Sequence, residues 1–519
     1  MPKLLSRVFG LLAVALLHTA AVAGESSILF ESQCAACHGA ERLGGTGPAL
    51  IPESLARLKP EAVEKTIAAG RPATKMPAFL DVLSKEDISA LARFVLSPLA
   101  KTPKWGEAEI AASKIVFDAS PAVSKPVFTS DPLNLFVVVE AGDHHASIVD
   151  GDSFTVIKRF KTRFALHGGP KFTPDGRYVF FMSRDGWVSK FDLWGLRPVA
   201  EVRASINSRN IAISADGLHV AVASYLPNSL VILNSETLAV EKIFEVKDRK
   251  GRASRVSAVY QAPRRNSFVA ALKDVPEVWE IATDPNAEPI FSGLVHSYEQ
   301  GMEEALPSTS GLFALRRIEV PESIDDFFFD PEYRNLIGAS RDGKKAYVVN
   351  LNVGRDIAAI DLPGMPHLGS GTTWIWNGRP VLATPHLNAP LISIIDMTDW
   401  RVIKTLKTDG PGFFMRSHEN SLYVWADASG GAHRDRMHII DKRTLEIVRT
   451  ITPDPGRAAA HVEFDRSGKN ALLSIAEMDG ALLVLDAGDF HEVKRLPMSK
   501  PSGKYNVWNK INFSAGTSH

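Results

Sequence analysis

The sequence predicts a multidomain chain in which a small all-α domain precedes an all-β eight-bladed propeller. Three observations carry that prediction. Cys34-Ala35-Ala36-Cys37-His38 is the signature of covalent haem attachment. Most of the remaining chain repeats a turn–strand–loop–strand pattern at the period of a four-stranded blade. The length, 519 residues, exceeds what one small domain needs. The expected boundaries are a signal peptide over 1–23, the haem-carrying domain over 24–100, a linker over 101–112 and the propeller over 113–519.

Lys3 and Arg7 open the chain, an apolar run follows from Val8 to Leu17, and Ala21-Val22-Ala23 offers the small-x-small pattern of a cleavage site. The run is short for a membrane span, so the expectation is a cleaved signal and a periplasmic protein that is not integral to the membrane. An uncleaved anchor is the alternative. The helical domain is then expected to start directly after the signal.

In the haem motif, two thiols add to the vinyl groups of one porphyrin and the adjacent imidazole reaches the iron. Cys34 and Cys37 are the only cysteines, so none remains for a disulfide. A thioredoxin-like redox pair is the competing reading. Residues 28–38 have helical character, with Ile28 and Phe30 placed to pack against a haem. Gly44 to Leu50 turns the chain, and Pro48 sits where small cytochromes c fix the second nitrogen of the proximal histidine. Lys75-Met76-Pro77 presents a thioether on an irregular segment, which makes Met76 the candidate partner of His38 on the haem c iron. Ser84 with Asp87 predicts a capped final helix whose apolar face carries Ile88, Leu91, Phe94 and Val95, ended by Ser97-Pro98. This is a cytochrome c domain of His/Met type.

Lys101 to Glu109 reads as linker. Lys+Arg and Asp+Glu both number 59, which gives no reason to expect nucleic acid or an anionic membrane as partner. Beyond it, Asp175-Gly176, Asp216-Gly217, Asp342-Gly343 and Ser467-Gly468 each precede a short apolar strand. Second strands end at Asp150, Asp192, Asn234, Asp361, Asp396, Asp441 and Asp486, with Trp279-Glu280-Ile281 a weaker member. Their separations, roughly 35 to 47 residues, match a propeller blade. The interval from Glu280 to Asp361 is too long by about a blade, and predicts an insertion near Gly293 to Pro321. Eight markers give eight blades; seven is the alternative.

A propeller gathers loops around one channel, so candidate site residues are loop residues that strand packing does not explain. His167, His367, His386 and His461 stand out among 15 histidines. Singly, each reads as an ordinary hydrogen-bonded histidine. Together, beside a cytochrome c domain, they suggest a second, non-covalent haem-like cofactor.

At this point the chain resembles the cytochrome cd1 family, in which a c-type haem domain precedes a propeller that holds haem d1. The best stretch runs from His167 through Ser183-Arg184-Asp185-Gly186 to Trp194. The resemblance implies His167 as proximal ligand of the d1 iron and Lys171, Arg184 and Arg209 as partners of the macrocycle's carboxylates. It also implies a cofactor contact at Tyr225 and two distal-side histidines, His367 and His386. The family performs two chemistries: reduction of nitrite to nitric oxide in denitrification, and oxidation of a propionate of dihydro-haem d1 to an acrylate. Gly503-Lys504-Tyr505-Asn506 is similar to a segment with phenylalanine in the reductase and tyrosine in the dehydrogenase. His461 matches a dehydrogenase position.

The resemblance therefore implies a dehydrogenase of haem d1 biosynthesis. Tyr505 would be catalytic, His367 a distal iron ligand and His461 an auxiliary, with His386 in the pocket. Electrons would leave through the c haem. Transient contact with nitrite reductase and a soluble electron acceptor would follow. Nitrite reductase and a non-catalytic haem d1 carrier remain the alternatives.

Overall fold

A computed structural model describes residues 25–55, 58–71, 76–101, 103–118, 120–291, 308–340 and 344–516. The expected signal peptide, together with Lys75, Asp342 and Gly343, lies outside them. The main division of the chain falls between Trp105 and Gly106. Among the described residues no helix is long and apolar enough to cross a membrane.

The first unit is built from helices: residues 25–33, Ala35–His38, Pro52–Leu55, Pro60–Ala69 and Lys85–Leu96. The last starts as its sequence predicts. The Ser84 hydroxyl accepts the Asp87 N–H at 3.0 Å, and the Asp87 carboxylate accepts the Ser84 N–H in return. Ile88, Leu91 and Val95 are buried on its apolar face. Phe94 packs its ring 5.4 Å from Phe30. Ile28, expected beside Phe30, is instead 70% exposed: on a helix the two lie 200° apart, so one face cannot hold both. Buried Arg42 donates to the carbonyls of Phe94, Ser97 and Pro98, which satisfies the C-terminal acceptors of that helix.

The second unit holds eight antiparallel sheets of four or more strands, which are the eight blades. The expected linker contributes to it. Glu107–Ala112 is a helix started by Gly106, whose N–H the Glu109 carboxylate accepts at 2.8 Å, and Ile110 is buried. Ile115–Val116 then adds a fifth strand to the outer edge of blade 2 by pairing with Arg197–Arg203. Blades 2, 3, 6, 7 and 8 follow in chain order over 171–203, 207–245, 372–407, 415–451 and 459–497. Blade 1 is composite. Leu135–Glu140, His145–Asp150 and Val156–Lys161 form its outer strands, and the C-terminal Pro501–Asn506 its innermost, with Val137 opposite Tyr505. That pairing ties the two ends of the propeller together.

The repeating Asp or Asn has a specific function. Asp150, Asp192, Asn234, Asp396, Asp441 and Asp486 each end the third strand of a blade, and each side chain accepts the N–H two residues on. An acceptor on a short side chain nucleates this turn locally. Blade 5 departs from the expected register by one strand. Its third strand is Lys345–Asn350, and Asn350 accepts the N–H of Asn352, so Asn350 is the marker. Asp361 ends the fourth strand, Arg355–Asp361. The Asp342-Gly343 pair likewise falls between the second and third strands, not the first and second. The insertion also shifts. Leu315–Glu319 pairs with Glu277–Ala282 as the outer strand of blade 4, so the inserted segment spans 283–314. Its ends meet as a two-stranded ladder, Ile290–Phe291 with Ser308–Thr309.

Candidate functional site

In the first unit, Cys34 and Cys37 flank one turn of backbone and both thiols are unpaired. His38 donates Nδ1–H to the Pro48 carbonyl at 2.7 Å, which fixes the tautomer and leaves the Nε2 lone pair as the ligand atom. Burial lowers the His38 pKa, so the ring is neutral and fit to bind iron. Gly47 is needed there: a Cβ would sit 2.8 Å from Cε1 of His38. The donor set fits a c-type haem. Met76 is half-buried, on a segment folded back so that its carbonyl accepts the Arg71 N–H.

In the second unit the candidate residues come from the innermost strands and the loops beside them. His167 precedes the innermost strand of blade 2, Lys171–Phe172. Its Nδ1–H donates to the Arg209 carbonyl at 2.7 Å, so Nε2 is the acceptor, and it takes hydrogen bonds from Arg209 (2.7 Å) and Arg184 (3.0 Å). Three predicted residues thus converge, with a histidine lone pair directed at cations. The backbone that follows, Gly168-Gly169, has φ of +81° and +68°, and a Cβ on Gly169 would lie 2.9 Å from the Tyr505 ring. Glycine lets the His167 segment lie directly on that ring.

Tyr505 stands on the closing strand of blade 1, and His461 on the innermost strand of blade 8. Their rings are 5.3 Å apart at 67°. Phe414 of the blade 6–7 connection is 4.6 Å from His461 and 6.3 Å from His367, and Phe413 is 4.5 Å from His367. His367 donates Nδ1–H to the Phe413 carbonyl at 2.8 Å and faces the Asp326 carboxylate through Nε2 at 3.7 Å. Tyr505, His461 and His367 are therefore linked through Phe414 in one side-chain arc, and the backbone just after His167 lies against its Tyr505 end.

Two predicted residues do not join it. His386 is fully buried, with Nδ1 on the Pro363 carbonyl at 2.5 Å and Nε2 on the Ser393 hydroxyl at 2.9 Å. Both nitrogens are engaged by neighbours of its own loop and strand, and among the described residues no ring contact or hydrogen bond links His386 to the arc. The Tyr225 ring lies against Arg255 (5.3 Å) and Lys273 (5.8 Å), and among the described residues no hydrogen bond links it to His167 or Arg209.

Sequence reasoning missed Arg416 and Glu463, a buried ion pair at 2.8 Å, and the basic roles of buried Lys504 and half-buried Lys510 near it. With Lys171 they make four basic side chains around two buried acids, Glu463 and Asp427, and burial holds Lys504 and Lys510 well below the ordinary lysine pKa. Burial, then Arg416, brings the Lys171 pKa down to about 8. Burial raises Tyr505 to about 12, and holds His461 well below its ordinary value with help from Lys504 and Arg416. A basic, partly apolar site of this kind suits a carboxylated macrocycle. A cavity of about 270 Å³ adjoins its cationic end, lined in part by Lys171, Tyr260 and Lys510.

The chain matches the family model described as "Cytochrome D1 heme domain" over 130–291 and 308–510, and "Cytochrome C oxidase, cbb3-type, subunit III" over 22–95. It is 48% identical to a "Dihydro-heme d1 dehydrogenase" of Pseudomonas aeruginosa over 518 residues, which covers 100% of both chains. It is 24% identical to a "Nitrite reductase" of Stutzerimonas stutzeri over 94% of this chain and 93% of that one. Among solved structures, "Dihydro-heme d1 dehydrogenase NirN in complex with DHE" is similar with TM-score 0.86 and 49% identity, over 93% of this chain and 99% of that one.

Proposed function

Because the chain belongs to the cytochrome d1 haem-domain family, we propose that it is a periplasmic dihydro-haem d1 dehydrogenase of haem d1 biosynthesis. The substrate side chain –CH2–CH2–COO⁻ becomes –CH=CH–COO⁻, with release of two protons and two electrons. The observation that carries the reading is Tyr505 beside a neutral His461. A propionate carbon is not acidic, so its protons need a positioned acceptor. At neutral pH Tyr505 is a phenol and His461 an uncharged imidazole. Tyr505 therefore takes one of the two protons as it gives its own to His461, and the second proton leaves to solvent. His167 binds the substrate iron through Nε2, displacing Arg184 and Arg209 toward the carboxylates. Lys171 and Arg416 fix the acidic groups, and His367 closes the distal side.

Cys34, Cys37, His38 and Met76 would hold a haem c, which would supply one-electron transfer. A soluble acceptor removes the two electrons, and the product passes to nitrite reductase by transient contact. The basic and apolar residues from Lys3 to Ala23 support export. His386 weighs against nitrite reduction, which in this family uses two distal histidines: its ring nitrogens are both engaged.

The test is to mix the purified holoprotein with dihydro-haem d1 and an electron acceptor and to follow the acrylate product. Conversion is expected. Nitrite turnover without conversion would make the protein a reductase, and neither activity would make it a carrier.

A further inference from the structure

His461 occupies a place where the strand ladder breaks. Ala460 lies opposite Ser474 but Val462 opposite Leu473, so His461 is the extra residue of a bulge, with φ of +52°. A bulge re-aims a side chain, and takes the residue's own N–H and C=O out of the sheet. A histidine with positive φ is held there only by its surroundings. His461 is buried, so its two backbone groups need partners within the protein.

Both partners are ionisable side chains. The Asp427 Oδ2 accepts the His461 N–H at 3.4 Å. The Lys504 amino group donates to the His461 carbonyl, and lies 3.4 Å from that of Ala460. The other oxygen of Asp427 accepts the N–H groups of Phe413 (2.7 Å) and Phe414 (3.2 Å), with the Ser429 hydroxyl at 3.3 Å. The Phe413 carbonyl in turn receives His367 Nδ1–H at 2.8 Å. Asp427, at the end of the strand Tyr423–Asp427, is 1% exposed, and Lys504 is the chain neighbour of Tyr505. One carboxylate therefore holds the backbone beneath two histidines that come from segments nearly a hundred residues apart.

We infer that Asp427 is a positioning residue which, with Lys504, sets His461 and His367 relative to one another and to Tyr505. The inference rests on the reading of His461 and Tyr505 as the reacting pair. It also explains why the residue must be a carboxylate. Donors approach both oxygens, so an asparagine amide, whichever way it turns, sets an N–H₂ against an N–H. Hydrogen bonds to a charged group are the costly ones to lose, and a small displacement of a reacting group is costly in rate.

The test compares the full-length holoprotein with Asp427→Asn, His461→Ala and the double variant. In Asp427→Asn we expect kcat to fall roughly 10- to 100-fold while KM for dihydro-haem d1 changes less than about threefold. Without substrate, hydrogen exchange at the amides of residues 413, 414 and 461 should rise. The double variant should lose much less than the full Asp427→Asn factor beyond His461→Ala, because Asp427 acts mainly through that ring. Lys504→Met, which removes the other clamp, serves if Asp427→Asn does not fold, with the same expectations for kcat and KM. Rates within about twofold of wild type, or a double variant slower than His461→Ala by the full Asp427→Asn factor, would overturn the inference. So would unchanged exchange in Asp427→Asn with His461→Ala still inactive, which would leave the function intact. A fully active His461→Ala would instead remove the reading on which it rests.

Discussion

Replacing Tyr505 by phenylalanine deletes one oxygen and leaves the ring wedged between Gly169 and Gly503, against His461. The structure sets what that oxygen can do. Burial raises its pKa to about 12, so at pH 7 the phenolate would cost about 7 kcal/mol, at 1.36 kcal/mol per unit. A preformed phenolate base is therefore too rare to account for turnover. The phenol must pass a proton on as it receives one, and His461, held neutral, is the ring beside it. Positioned proton transfer contributes about 10²- to 10⁴-fold, or about 2.7 to 5.5 kcal/mol of barrier. Among the described residues the hydroxyl has no hydrogen-bond partner, His461 included, so the relay requires that contact to form once substrate is bound, and folding stability should change by less than about 1 kcal/mol. The assay is the rate of acrylate formation at saturating dihydro-haem d1, with affinity from a spectral titration and the thermal midpoint as control. Tyr505→Phe should lose about 10²-fold or more in kcat with affinity and midpoint retained. A variant that binds normally and keeps more than about a third of the wild-type rate would refute the relay.

Two more outcomes follow from the buried charges. Lys171 is a cation below pH about 8 and an amine above it, so affinity for the carboxylated substrate should fall as pH rises through that value. Titrations at pH 7 and pH 9 should differ by up to about tenfold, and Lys171→Met should remove the difference. His386, His418, His438 and His461 are all lowered from 6.5, mainly by burial. Below pH 6.5 the unfolded chain binds protons that the folded one refuses. Stability is thus full above 6.5 and declines as pH falls, by at most about 1.4 kcal/mol per pH unit for each histidine. The propeller's thermal midpoint should drop between pH 7.5 and pH 5.5; a flat profile would contradict the buried neutral rings.

How far the sequence could be read depended on how far apart the interacting residues stand. The haem motif, the Ser84–Asp87 cap and the Asp or Asn turns each lie within a few residues, and all were legible. Blade 5 was misread by one strand because Asp361 imitates the marker that Asn350 supplies, and only strand pairing tells a third strand from a fourth. His167 was found through the residues around it. Its tautomer required Arg209, 42 positions away. The partners of His386, Pro363 and Ser393, lie 23 and 7 positions away, and only the fold shows that they engage both its nitrogens.

By itself, then, the sequence determined two domains, the haem attachment, the number of blades and the tyrosine on the closing strand. All of these are written in contiguous residues or in a regular period. Only the tertiary structure decided which partners each histidine takes, that Arg416 and Glu463 pair, and that Asp427 and Lys504 hold the His461 bulge. A propeller brings together one residue or two from each of several distant blades. The ionisation and aim of each are set by neighbours that no local pattern connects to it.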